Sequence, residues 1–180
     1  MIRSIFEHHG RLLAIEAGMG AMINCAIAAG VSWATFHPAV LQSMWGPGGF
    51  GPDALLASFA PAFMISLLAG LAQRGKVANG RLGALPTASQ AHGLHAAWLH
   101  FMPARALVCA LLVTLCLAPP LMLAIAAVGP ARLDFDSYLA IKCAHGAVVG
   151  AVCGVMALGW ALIDSASPKS RQSPAPASIG

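Results

Sequence analysis

Charge is scarce in this chain: 9% of its residues are Asp, Glu, Lys or Arg, where soluble domains carry about 25%. That shortage excludes a water-exposed globule, whose surface needs roughly a quarter to a third of its positions charged. Carboxylates are the scarcer sign, with 6 Asp and Glu against 10 Lys and Arg, and no pair of them stands at a catalytic spacing. There is no C-x-x-C either. The cysteines, at 25, 109, 116, 143 and 153, are odd in number and dispersed through apolar sequence. They make no disulfide framework and read as small packing residues. With no nucleophile and base pair or metal-ligand set in view, an enzyme is not expected.

What the chain does have is long apolar sequence. Four runs, 12–36, 54–71, 104–128 and 139–163, approach or exceed the roughly 20 residues that carry a helix across a bilayer. The first follows Arg3 and Arg11 as a signal peptide would, but its apolar part is too long to be one, so it reads as an anchor. Lys and Arg collect beside the cytoplasmic ends of membrane helices. All but Arg132 and Lys142 fall in the N-terminus, the second connection or the tail. The expected fold is therefore an all-α integral membrane protein, a four-transmembrane-helix bundle, N-in/C-in. Residues 1–164 form a single membrane domain, and 165–180 a proline-rich disordered cytoplasmic tail.

The connections carry their own signals. WGPGGFGPD, residues 45–53, has glycines for a tight reversal and Trp45 and Phe50 to hold it at the outer interface. Pro52 and Asp53 suit the first turn of the next helix. In the second connection, Thr87 and Gln90 fit a capping box, which predicts one short cytoplasmic-side interfacial helix over 88–102, ended by Pro103.

Ionisable groups inside spans are costly and mark candidate sites. Here they are Glu16 near the inner end of the first span, and Lys142 and His145 near the outer end of the fourth. In a structural reading Glu16 reaches toward Arg11 or Arg74, while Lys142 snorkels to Asp134 or Asp136. In a functional reading Glu16, Asn24, Lys142 and His145 line an ion or proton path, with Ser58, Ser66 and Thr114 as polar steps. Met19, Met22 and Cys25 recur at intervals of three and make weak soft-metal candidates. His92 and His95 share a face of the interfacial helix as weak zinc candidates. Only His145 of the seven histidines lies in a span, so one chain cannot ligate a haem on both sides. No cofactor is expected.

Gly146, Gly150 and Gly154 form a ridge of small residues on the fourth span, the spacing at which membrane helices approach closely. Its expected partner is the first span or the fourth span of a second copy. Pro61 and Pro119-Pro120 interrupt the middle spans and should kink them.

GMGAMINCAIAAGVSW followed by WGPGGFGPDALLASFAPAFMISLLAGLAQR is similar to a group of bacterial four-span inner-membrane proteins with an Asn-containing first span, a Trp-Gly loop and a second span closed by basic residues. The similarity covers the first two spans and, more loosely, the last. The histidines of the second connection depart from the group's pattern. The resemblance implies a bacterial inner membrane and carries no activity. On these grounds the first expectation is a non-enzymatic accessory or assembly subunit that packs through its fourth span. The alternatives are a small homo-oligomeric permease or ion/proton-conducting transporter, and a copper-type soft-metal handling protein. Membrane lipid and a second copy or larger membrane complex are the expected partners, and nucleic acid is not.

Overall fold

A computed structural model describes residues 2–36, 41–46, 49–79, 101–129 and 132–165. Four helices dominate them: α1 (Ile2–Thr35), α2 (Phe50–Ala78), α3 (Met102–Val128) and α4 (Phe135–Ser165). Each contains a stretch long and apolar enough to cross a membrane. The helices outrun the apolar limits read from the sequence, notably α1 back to Ile2 and α2 on to Ala78, because a helix need not stop where its hydrophobicity does. The expected interfacial helix lies outside the described residues except at its end, where Phe101 is extended and Met102 opens α3 with a proline in the first turn. The tail beyond residue 165 also lies outside them.

Some side-chain hydroxyls in the helices are satisfied by carbonyls of their own helix, whereas the buried hydroxyls of Ser66 and Thr114 have no hydrogen-bond partner among the described residues. Ser32 Oγ donates to the Ala28 carbonyl at 2.8 Å, and Thr35 Oγ1 to that of Val31 at 2.7 Å. α4 is started by Asp134, which accepts from the backbone N–H of Ser137 at 2.9 Å and from its hydroxyl at 2.8 Å, the geometry of an N-cap. These bonds, the backbone one foremost, hold the exposed Asp134 carboxyl below its ordinary range. A carboxyl depressed on folding stabilises above its unfolded pKa and loses that contribution as pH falls through the folded value. The protection of the Ser137 and Tyr138 amides relative to intrinsic exchange at each pH should therefore fall on acidification in the wild type, and should be low at all pH values in Asp134→Ala.

α4 is the central helix. One side packs along α1 and the other on α2, while α3 lies mainly against α2 and α1 scarcely meets α2. At one end the first and third connections are joined by a two-residue antiparallel ladder, β1 (Gln42–Ser43) with β2 (Arg132–Leu133), pairing Gln42 with Leu133 and Ser43 with Arg132. This end is the outer one in the orientation expected from the sequence, and the terms outer and inner follow it below. Beneath the ladder Met44, Phe50, Ala54, Ile125, Leu133 and Tyr138 form an apolar cluster.

The turn of WGPGGFGPD is built as its glycines suggest. Gly46 takes φ +102°, and its carbonyl accepts from Gly49 N–H at 2.9 Å. Phe50 departs from the expected interfacial role. It is fully buried, edge-on to Tyr138 at 5.9 Å between centroids, because α2 begins at Phe50 itself and turns that ring inward. Trp45 stays exposed.

Candidate functional site

Tyr138, Lys142 and His145 follow one another at i, i+4 and i+7 along α4, so they share one face. α2 sets Asp53 and Ser58 opposite them. Lys142 Nζ lies 2.5 Å from Asp53 Oδ2, and the Tyr138 hydroxyl donates to the same oxygen. Lys142 is 3% exposed and Asp53 21%, so the pair is sunk between helices with the carboxylate nearer the opening. The ammonium also stands 5.8 Å from the Tyr138 ring centroid.

One turn further in, Ser58 Oγ lies 2.6 Å from His145 Nε2 and 2.7 Å from the Ala54 carbonyl oxygen. A hydroxyl has a single proton. When Ser58 donates it to Ala54, His145 carries its proton on Nε2 and donates to the serine. When Ser58 donates to His145, that nitrogen is bare. The pair thus has two arrangements that differ by the position of protons. Across α4, Asn24 Nδ2 donates to the Gly146 carbonyl at 2.7 Å. Its Oδ1, also buried, has no partner among the described residues.

Below this polar seam Ala62, Ala110, Val113 and Val149 close the junction of α2, α3 and α4 with apolar groups. Polar chemistry resumes at the inner end. Glu16 Oε1 and Lys76 Nζ pair at 3.0 Å, and the Arg105 guanidinium lies 5.2 Å from the Trp160 ring centroid. α3, the most apolar span at a mean hydropathy of 2.5, adds no charged group to the seam.

The two ends stay apart, with Glu16 beside Lys76 and His145 beside Ser58. Lys142 does not snorkel to Asp134 or Asp136, because the buried side of α4 offers it the Asp53 carboxylate. Glu16 takes Lys76 as a salt-bridge partner, since α2 continues as helix past Arg74 and brings Lys76 across. Met19 and Met22 point outward, whereas Cys25 turns half-buried toward α4, its carbonyl 3.9 Å from Cys143 Sγ, so the three do not converge. His92 and His95 lie outside the described residues. Among the described residues no group of three or more His, Cys, Asp or Glu is placed to hold a metal ion.

Gly146, Gly150 and Gly154 all face α1. A Cβ on Gly146 would sit 3.1 Å from the Asn24 carbonyl oxygen, one on Gly150 2.6 Å from the Gly20 carbonyl carbon, and one on Gly154 2.6 Å from the Glu16 carbonyl oxygen. The ridge is consumed within the chain.

Asp53 and Tyr138 are the seam residues that sequence reasoning missed. Asp53 was legible as a helix-start residue. The signal for more was depth: Asp53 is three residues into α2 and Lys142 seven into α4, a difference of only about 6 Å at 1.5 Å per residue. No family model, no curated protein and no solved structure matches the chain.

Proposed function

We propose that this chain is a small multi-pass protein of a bacterial inner membrane, both termini cytoplasmic, that conducts protons through the seam between α1, α2 and α4. The observation that carries the reading is the Asp53, Tyr138, Lys142, Ser58 and His145 cluster, gathered in helices that otherwise avoid polar groups. Burying a charged pair and a proton-shifting hydroxyl–imidazole pair costs stability that apolar side chains would not cost. A function would account for that cost.

The seam enters from the outer end and stops at the apolar layer, so passage requires that layer to part. Pro61 sits in α2 beside Ala62 of the layer and leaves the Ala57 carbonyl without its helical donor. A helix bends most easily at such a place. Four helices enclose little space, so the working unit is a homo-oligomer. The accessory-subunit reading is weakened by one feature: the glycine ridge that would dock a partner is already covered by α1.

The test is proton uptake by vesicles holding the purified protein and an internal pH dye, driven by a potassium diffusion potential. Wild-type uptake should exceed that of protein-free vesicles. His145→Ala and Ser58→Ala should each lower it about tenfold or more, as expected for intramembrane relay groups, with assembly unchanged by native mass spectrometry. Uptake no faster than the lipid background, or unaffected by His145→Ala, overturns the reading.

A further inference from the structure

A narrow cleft opens at the inner end between α2, α3 and α4. On α2 it is lined by Ser66, Gly70 and Arg74, which recur every four residues and so follow one face for about 12 Å at 1.5 Å per residue. α3 contributes Met102 and Arg105 of its first turn, and α4 contributes Trp160. Met102 closes the side toward α2, where a Cβ on Gly70 would meet its Cε at 2.8 Å. α3 touches α4 far less than it touches α2, so the way in from the bilayer lies between α3 and α4.

The lining is cationic. Among the described residues that line the cleft there are two guanidinium groups and no carboxylate. Arg105 is 6% exposed and stands over the Trp160 ring, and tryptophan is a residue that settles at the headgroup level. The first turn of α3 carries no acid, and Phe101 gives it no side-chain cap, which turns the positive end of the helix dipole to this rim. Deeper in, the buried Ser66 hydroxyl has no hydrogen-bond partner among the described residues. The enclosed space is about 20 Å³, room for one or two water-sized groups.

We propose that this cleft binds the phosphate of an acidic phospholipid of the inner leaflet. Size, charge and position select that ligand. The enclosed part admits a phosphoryl oxygen but no whole headgroup, so the phosphate sits at the mouth while the acyl chains stay in the bilayer beside α3 and α4. Guanidinium forks match phosphate geometry, and each has five N–H donors, enough to hold a phosphate oxygen beside a partner it already has. Basic pockets between spans on the cytoplasmic side are where acidic headgroups collect. A zwitterionic lipid offers the same phosphate but brings its own ammonium, which the two arginines repel. The proposal rests on the membrane placement given above and not on proton conduction.

The experiment is native mass spectrometry of the full chain in mixed micelles titrated with phosphatidylglycerol or with phosphatidylcholine of the same acyl chains. The wild type should retain about one phosphatidylglycerol and bind phosphatidylcholine about tenfold more weakly. Arg74→Gln/Arg105→Gln should lose that preference, whereas Arg11→Gln, exposed on α1 and outside the cleft, should keep it. Phosphatidylglycerol carrying a photoreactive headgroup, applied to the wild type so that no substitution can disturb folding, should label the first turn of α3 or the end of α2 around Arg74. Glycerol 3-phosphate should not displace the lipid. Equal retention of the two lipids, an unchanged preference in Arg74→Gln/Arg105→Gln, an equal loss in Arg11→Gln, or labelling away from the cleft overturns the proposal, and displacement by glycerol 3-phosphate overturns the lipid as the source of the phosphate. Binding in micelles is read whichever way the chain crosses a bilayer and whether or not it conducts protons, so this result and the vesicle assay fail separately.

Discussion

Asp53→Asn is expected to destabilise the protein by about 3–5 kcal/mol, the cost of stranding a buried charge without its partner. The stranded group is Lys142, 3% exposed, and Tyr138 loses its charged acceptor in the same step. Adding Lys142→Met should recover most of the loss, since a buried ion pair replaced as a whole by neutral groups is often tolerated. The measurement is the midpoint of unfolding in mixed micelles for the wild type, both single variants and the double. A double-mutant cycle then isolates the coupling. Costs that simply add would mean that Asp53 and Lys142 do not pair. Stability and conduction separate here, because Asp53→Asn/Lys142→Met can be well folded and still inactive in vesicles.

Gly150→Leu is the second large effect. A Cβ at this position already meets the Gly20 backbone at 2.6 Å and Asn24 Cβ at 2.9 Å, and the contact there is backbone to backbone, which cannot yield as a flexible side chain does. Overpacking commonly costs 1–3 kcal/mol, and about 3 or more is expected where the neighbour is main chain. α1 should lift from α4, and the Asn24 to Gly146 hydrogen bond should go with it. Gly18 and Gly30 give the control, since nothing lies within 4 Å of a Cβ on either. Gly18→Leu should unfold like the wild type. If Gly150→Leu proves equally stable, α1 does not sit in this groove.

The four apolar helices were legible because lipid demands continuous hydrophobic sequence, and residues 12–36 or 104–128 satisfy that demand without reference to any other part of the chain. Partners were less legible, since they depend on contacts between distant segments. Lys142 and Asp53 are separated by 89 positions, and hydropathy places both near the outer end without saying that the lysine turns inward. Asp134 is a similar case. It stood three residues ahead of Ser137, in a helix-starting pattern, but its acidity drew attention as a landing place for Lys142 instead of as a cap. The reverse holds for the fourth-span glycines. Their spacing announced close approach, while the choice between α1 and a second copy required the fold. The Gln42 to Leu133 pairing had no sequence signal at all, because two-residue strands leave no periodicity to read.

That short ladder makes the two ends of the molecule mechanically unequal. Main-chain hydrogen bonds across β1 and β2 fasten the connection leaving α1 to the one entering α4, with the Phe50 and Tyr138 rings wedged underneath, so the outer rim behaves as a fixed collar. At the opposite rim α1 and α2, which scarcely meet, are joined by the Glu16 to Lys76 contact, whose lysine is 43% exposed and therefore screened and readily broken. Any swing of α2 against α1 therefore pivots about the collar and opens at the inner rim.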